Sequence, residues 1–260
     1  MYPYYERHPV SLRGYKIAKM KISRDITLII HFFLDELLPP ILRDSKWFMW
    51  LPFKLLFGSK AKIFFEFKEK APYLSEQEFR ELYLESATVH IQRETDLNHA
   101  CIKAIDAQIV GKSVLDIACG RGFLVKHLTE LDYQVSGADI VIDPQLINDH
   151  PQIPFRETQL ENLPFADNEF DTVICTHTLE HVQNIQKAVQ ELRRVAARRL
   201  IIVVPKQRSY KYTFDLHLHF FPYSSSLLTV LGAPSGNHVC HELDGDWFYF
   251  EDMSCSSSYS

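Results

Sequence analysis

The chain lacks any paired cysteine spacing. Its five cysteines, Cys101, Cys119, Cys175, Cys240 and Cys255, are scattered over 260 residues with no C-x-x-C among them. An odd, unpaired set argues against both a thiolate zinc framework and a disulfide scaffold, so no metal is expected and a reducing, cytoplasmic setting is. Long apolar runs are also missing. The first, Ile26 to Leu34, is short and leads into Asp35 and Glu36, so neither a cleaved signal nor a membrane span is expected there. Positive charge is scarce in the main body: residues 71–260 carry 15 Lys/Arg against 26 Asp/Glu, net −11. Such a surface repels a phosphate backbone, so nucleic acid is not the expected partner.

The basic charge is concentrated at the other end. Residues 1–70 carry 13 Lys/Arg against 7 Asp/Glu, net +6. They include the stretch Arg13, Lys16, Lys19, Lys21, Arg24, then Pro39-Pro40 and the aromatic cluster Trp47, Phe48, Trp50, Phe53, Phe57. This reads as a mainly helical appendage, residues 1–74, cut into short pieces by proline. Its charge and aromatics suit peripheral contact with an anionic membrane or an apolar substrate entrance, and equally a core packed on the helices after Ser75. Nothing in the sequence sets an oligomeric state.

From Ser75 the pattern becomes regular. Ser75 and Glu78 have capping-box spacing before Phe79, Leu82 and Leu84, and Leu97, Cys101, Ile105 and Ile109 share one face of a second helix. Short apolar runs follow at 113–117, 134–138, 170–175 and 199–204, suited to strands covered on both faces, with a further short strand at 154–158. Between them, residues 123–131 and 185–195 have helical period. Asp244-Gly245 between two β-rich runs predicts a tight hairpin. The expectation is an α/β fold: a doubly wound, mostly parallel sheet over residues 75–253, closed by an antiparallel hairpin, with a disordered serine-rich tail at 254–260.

The chemistry is concentrated after the first strand. In Val114-Leu115-Asp116-Ile117-Ala118-Cys119-Gly120-Arg121-Gly122 an acid and a small-residue loop stand at a strand's carboxyl end, where open α/β sheets bind ligands. Asp139 ends the second strand 17 residues after Gly122, placed to accept from two ribose hydroxyls. A glycine-rich turn with such an acid also serves dinucleotides, so a hydride-transferring enzyme is a rival reading of these residues. The string His177-Thr178-Leu179-Glu180-His181 has the H-x-x-E-H spacing of a zinc peptidase, but its first histidine follows a buried strand instead of lying inside a helix, and no third ligand is evident.

The segment from Gln159 to Val182 separates the rivals. Its order of L-P-F at 163–165, F-D at 170–171, an apolar strand, then L-E-H at 179–181 resembles the class I, Rossmann-like S-adenosylmethionine-dependent methyltransferases acting on small molecules and lipid quinones. The resemblance covers roughly residues 110–205 and implies a seven-stranded fold with S-adenosylmethionine as cofactor. Residue by residue, it implies that Asp116, Ala118, Cys119, Gly120 and Gly122 line the methionine end. Asp139 and Ile140 would hold the ribose and one adenine face, Gln159 and Leu160 would meet the adenine edge, and Thr176 and His177 would lie beside the sulfonium. Ala118 stands where the family usually has glycine and Gln159 where it often has aspartate. No Asn-Pro-Pro-aromatic sequence follows the fourth strand, as methylation of nucleic-acid bases would require.

The expected acceptor is therefore a small or lipid-like molecule. A membrane-associated cofactor-binding module without turnover is the reading of another class. His177 and His181 are the candidate catalytic bases, with the sulfonium expected to hold His177 neutral; His217 and His219 stand behind them, in a variable stretch 206–232 that is either a cover over the acceptor or packing.

Overall fold

The computed structural model describes residues 32–33, 37–87, 94–212 and 214–253. The stretch Arg13–Arg24, most of the apolar run at 26–34 and the tail 254–260 lie outside the described residues. In chain order the elements are α1 (Pro40–Arg43), α2 (Lys46–Phe57), α3 (Ala61–Lys70), α4 (Glu76–Ala87), α5 (His99–Gln108), β1 (Ser113–Ile117), α6 (Phe123–Glu130), β2 (Gln134–Asp139), α7 (Pro144–Asp149), β3 (Phe155–Glu157), β4 (Phe170–Thr176), α8 (Ile185–Val195), β5 (Ala196–Pro205), α9 (Ser224–Leu231), β6 (His238–Leu243) and β7 (Asp246–Asp252).

The strands form one seven-stranded sheet in the order β3-β2-β1-β4-β5-β7-β6, with parallel pairing from β3 to β5 and antiparallel pairing of β7 with β5 and β6. The two-residue alternation of strand side chains assigns each strand to two cores. Leu115, Ile117, Val173, Cys175, Leu200, Ile202 and Val204 face α8 and α9, packing on Ile185, Val189, Leu192 and Leu227. Val114, Ile174, Ile201 and Val203 face the other way onto Cys101 and Ile105 of α5 and Leu124, Val125 and Leu128 of α6. Both faces are covered, which is why these strands read as continuous apolar runs. At the hairpin, Asp244 (φ +46) and Gly245 (φ +88) take the paired left-handed conformation of a tight two-residue turn.

The capping box forms: the Ser75 N–H donates to Glu78 Oε2 at 2.8 Å and the Glu78 N–H to Ser75 Oγ at 3.3 Å. α5 is shorter than a helix from Leu97 to Ile109, because the Asn98 side chain accepts the Cys101 N–H at 2.7 Å, making Asn98 the cap and His99 the first helical residue. The appendage is in short helices, and Pro39-Pro40 opens the first of them, but proline does not cut every one. α2 runs through Pro52, whose missing N–H and ring clash cost about 3 kcal/mol in a helix interior. Complete burial of Met49 and Phe53 on one face of α2 offsets this, each contributing about 1.5–3 kcal/mol.

Those side chains belong to a third core, in which Phe64, Phe65 and Phe67 of α3 meet Tyr212 and Leu216 from the segment after β5. The Phe65 and Tyr212 rings stack at 3.9 Å. The N-terminal helices therefore sit on the stretch expected to be variable, and that stretch is mostly packing: Tyr210, Tyr212, His217 and Phe221 are buried, and only 224–231 of it is α-helix.

Candidate functional site

The loop leaving β1 turns on three left-handed residues, Ala118 (φ +59), Gly120 (φ +53) and Gly122 (φ +72), before α6 begins at Phe123. Glycine takes this conformation without strain; alanine does not. At Gly122 a Cβ would come within 2.7 Å of Leu146, so the loop's close approach to α7 needs a bare backbone. The loop is tied back to the sheet by the Cys119 N–H donating to the Ala138 carbonyl at 3.1 Å and the Gly120 N–H donating to Asp139 Oδ2 at 2.8 Å. Cys119 is buried and its thiol pKa is pushed up by burial and then by Asp116 and Asp139, so it stays protonated and lines the loop without reacting.

Two carboxylates face this loop. Asp116, on β1, is 1% exposed, and its Oδ1 has no hydrogen-bond partner among the described residues. Burial, then the charge of Asp139, holds its carboxyl well above the usual range. Asp139 is raised as well, chiefly by burial, although the amides of Gly120, Val141 and Ile140 work against the shift. A pair of crowded carboxylates, one with an orphaned oxygen, is a donor-seeking site. A cationic amine beside Asp116 would relieve both the missing hydrogen bond and the mutual repulsion, which is the chemistry that the methionine end of S-adenosylmethionine offers.

The remaining positions expected at the cofactor are spread around the same sheet edge. Ile140 follows Asp139 directly, and the Thr158 N–H donates to the Asp139 carbonyl at 2.8 Å, bringing the strand end of β3 alongside. The Gln159 side chain reaches the Glu76 carbonyl at a long 3.5 Å, toward α4. Leu160 is buried in the core beside Ala138 and Leu163, so its side chain packs inward.

β4 ends at Thr176, whose carbonyl accepts the Thr178 hydroxyl at 2.8 Å. His177 then turns left-handed (φ +48) and its N–H donates to the Val203 carbonyl at 2.8 Å. A non-glycine residue in that conformation is worth explaining, and here it aims the ring between two acids. His177 Nε2 lies 3.6 Å from Asp246 Oδ2, and Nδ1 lies 3.8 Å from Glu180 Oε1. Both distances are ion-pair contacts, too long for hydrogen bonds. Burial disfavours the charged ring, but Asp246 and Glu180 outweigh it and its pKa is raised. The expectation of a neutral His177 counted only an approaching cation; Asp246 and Glu180 act in the opposite direction.

Asp246 is in turn held by Asn98 Nδ2 at 2.9 Å, which also donates to the Leu243 carbonyl at 2.9 Å. Asp246 and Asn98 were not found from sequence. The acid merely follows the turn signal Asp244-Gly245, and Asn98 reads only as a helix cap.

His181 lies in a turn rather than a helix, with Nδ1 3.2 Å from the Leu216 carbonyl. His217 Nδ1 is 2.6 Å from Gln207 Oε1. His219 Nε2 donates to the Val182 carbonyl at 2.9 Å, and burial lowers its pKa. Beside this group a cleft of about 310 Å³ opens between Lys206–Arg208, Pro222–Ser224 and Trp247.

The family described as "Methyltransferase domain" matches residues 115–203. The chain is 33% identical over 104 residues to a ubiquinone biosynthesis O-methyltransferase of Paraburkholderia phymatum, covering 36% of this chain and 45% of that protein. It is 32% identical over 85 residues to a demethylmenaquinone methyltransferase of Corynebacterium urealyticum, covering 33% and 37% respectively. The chain thus spans less than half the length of these relatives. Among solved structures, the Burkholderia thailandensis 1,6-didemethyltoxoflavin-N1-methyltransferase, with bound 1,6-didemethyltoxoflavin and S-adenosylhomocysteine, superposes with a TM-score of 0.56. Its identity is 15%, and the superposition covers 72% of this chain and 93% of that one, a likeness of fold. Residues 115–203 of this chain thus resemble a methyltransferase domain, and the fold around them is that of the superposed methyltransferase.

Proposed function

We propose that the protein transfers a methyl group from S-adenosylmethionine to a small, quinone-like or otherwise lipid-like acceptor. The observation that carries this reading is the pair Asp116 and Asp139 converging on a left-handed loop at the carboxyl edge of β1 and β2, inside the matched segment. When bound, the cofactor supplies a methyl group already activated on a sulfonium. The chain's own part is binding and alignment. Asp116, Ala118, Cys119, Gly120 and Gly122 would hold the amino-acid end, Asp139 and Ile140 the ribose and adenine face, Gln159 and Leu160 the adenine edge, and Thr176 and His177 the side of the reacting centre.

For a hydroxyl acceptor, His177 is the first candidate to take the proton and His181 the second. Carboxylates on either side of His177 would stabilise a proton received there. The domain division into an appendage, 1–74, and a methyltransferase domain, 75–253, is part of the proposal. So is peripheral membrane contact through the appendage. Trp47, Leu51 and Leu55 recur every fourth residue on α2 and are 76%, 63% and 77% exposed, with the exposed Lys46 and Lys54 nearby. Such a stripe suits the interface of an anionic bilayer. Among the described residues no helix is long and apolar enough to cross a membrane.

The test is a labelled-methyl assay on quinone and phenol extracts, with calorimetric binding of S-adenosylmethionine and S-adenosylhomocysteine. Product with cofactor binding supports the reading. Cofactor binding without any methylated product supports the module without turnover, and failure to bind either ligand overturns both. In single-turnover assays, loss of rate with retained cofactor binding in His177→Ala or His181→Ala identifies the base. Co-sedimentation with anionic vesicles at low salt, lost in Trp47→Ser/Leu55→Ser, is expected; no sedimentation at any salt overturns the membrane contact.

A further inference from the structure

We infer that Glu180, His181 and His217 form a binding site for one divalent transition-metal ion of the zinc type. This does not rest on the methyltransferase reading. One ligand atom from each residue lies within 4.8 Å of the other two, with His181 Nε2 3.9 Å from Glu180 Oε1 and the two imidazole centroids 4.7 Å apart.

The arrangement around those atoms orients them as ligands. The Leu216 carbonyl can only accept, so His181 carries its proton on Nδ1 and presents a lone pair on Nε2. His217 is set in the same way by Gln207 Oε1, and the Gln207 amide is fixed by donating from Nε2 to the Tyr210 hydroxyl at 2.5 Å. Proton donation from the far ring nitrogen to an oxygen is the usual outer support of a metal-bound histidine. Glu180 is 1% exposed, and its Oε2 has no hydrogen-bond partner among the described residues. A buried carboxylate oxygen without a donor is costly, and a cation removes that cost.

The two chain segments are also fastened to each other. The N–H groups of Leu218 and His219 both donate to the Glu180 carbonyl, at 2.7 and 3.0 Å, and the His219 ring closes onto the Val182 carbonyl. Zinc–ligand distances of about 2.0–2.2 Å in a tetrahedron place ligand atoms roughly 3.3 Å apart, so binding draws the three side chains inward by little more than an ångström. Two imidazoles and one carboxylate favour zinc, cobalt or manganese over magnesium or calcium, and three protein ligands leave a coordination position open. His181 is 22% exposed, which gives the ion a way in. A metal-bound His181 no longer serves as a base, leaving His177 alone in that role. Spacing along the chain does not show this cluster, because His217 lies 36 residues after His181 and only the contact between the two segments brings it in as the third residue.

The experiment uses the full chain, stripped with chelator and without S-adenosylmethionine. Zn2+ and Co2+ are titrated, with Mg2+ and Ca2+ as comparisons, and bound metal is counted after gel filtration. One equivalent of Zn2+ is expected, together with an intense visible Co2+ band of four- or five-coordinate type that lacks thiolate charge transfer. His217→Gln and Glu180→Gln, checked for folding by circular dichroism, are expected to weaken Zn2+ binding at least tenfold. Absence of stoichiometric binding, a thiolate band, or wild-type affinity in the folded variants overturns the site. If a variant does not fold, the wild-type Co2+ spectrum decides alone.

Discussion

Asp139 accepts the backbone N–H of Gly120 at 2.8 Å, so the acid that ends β2 also holds the loop that leaves β1. One side chain thus links two halves of the candidate cofactor cradle. Asp139→Ala should weaken S-adenosylhomocysteine binding by about 1–3 kcal/mol, through lost charge-assisted hydrogen bonds and a loosened loop. Asp139→Asn keeps one acceptor and should lose less. Calorimetry that finds the same Kd in both variants and the parent removes Asp139 from the site.

Ala118 adopts φ +59 without the freedom of glycine. Left-handed backbone costs an L-residue roughly 1–2 kcal/mol, whereas glycine loses about 0.5–1 kcal/mol through its freer unfolded chain. The first effect is larger, so Ala118→Gly should leave stability unchanged or raise it by up to about 1 kcal/mol, and should improve cofactor affinity. A clear loss of stability in urea titration would show that the Ala118 methyl group is needed for packing.

Asp116 gives a pH-dependent prediction. Its folded-state pKa is raised, by burial and then by Asp139, so its ionisation works against folding. The sign is set by linkage: relative to neutral pH, a raised acid contributes stability that is complete below its unfolded-state value near 3.9 and is lost as pH rises through the higher folded value. Asp116→Asn should therefore raise the Tm of the cofactor-free protein at pH 7, with the gain disappearing toward pH 4, and should weaken cofactor binding. A Tm lowered equally at both pH values would contradict this account.

Arg193 of α8 forms a two-pronged pair with the fully buried Glu251 of β7, Nε to Oε1 at 2.5 Å and Nη2 to Oε2 at 3.1 Å, and Nη1 donates to the Leu231 carbonyl at 2.8 Å. Glu251 also accepts from the Tyr249 hydroxyl and the Ser235 N–H. Arg193→Ala strands a buried charge and should cost about 3–5 kcal/mol. Chemical denaturation giving less than about 1 kcal/mol would place this pair with weak surface contacts.

Much of the fold was legible because local pattern and tertiary role coincide. The apolar runs of β1, β4 and β5 are buried on both faces, and Asp244-Gly245 can hardly be anything but a turn. That α2 runs through Pro52 was not legible, because the local cost of a helical proline is set against an aromatic core that forms only when the chain folds. At the site, Asp116, Asp139 and the small-residue loop were legible from spacing along one βαβ unit. Asp246 and Asn98 were not, since each acts on a residue far away in the chain.

The sequence by itself determined the strand and helix order, the doubly wound sheet and the place of the small-residue loop after β1, because periodicity and turn chemistry operate over a few residues. Only the tertiary structure decided that His177 sits between Asp246 and Glu180, that His217 joins Glu180 and His181, and that α2 turns Phe53 inward and Trp47 outward. These outcomes depend on electrostatics and burial between segments that meet only when the chain folds, and no local pattern encodes which segments those are.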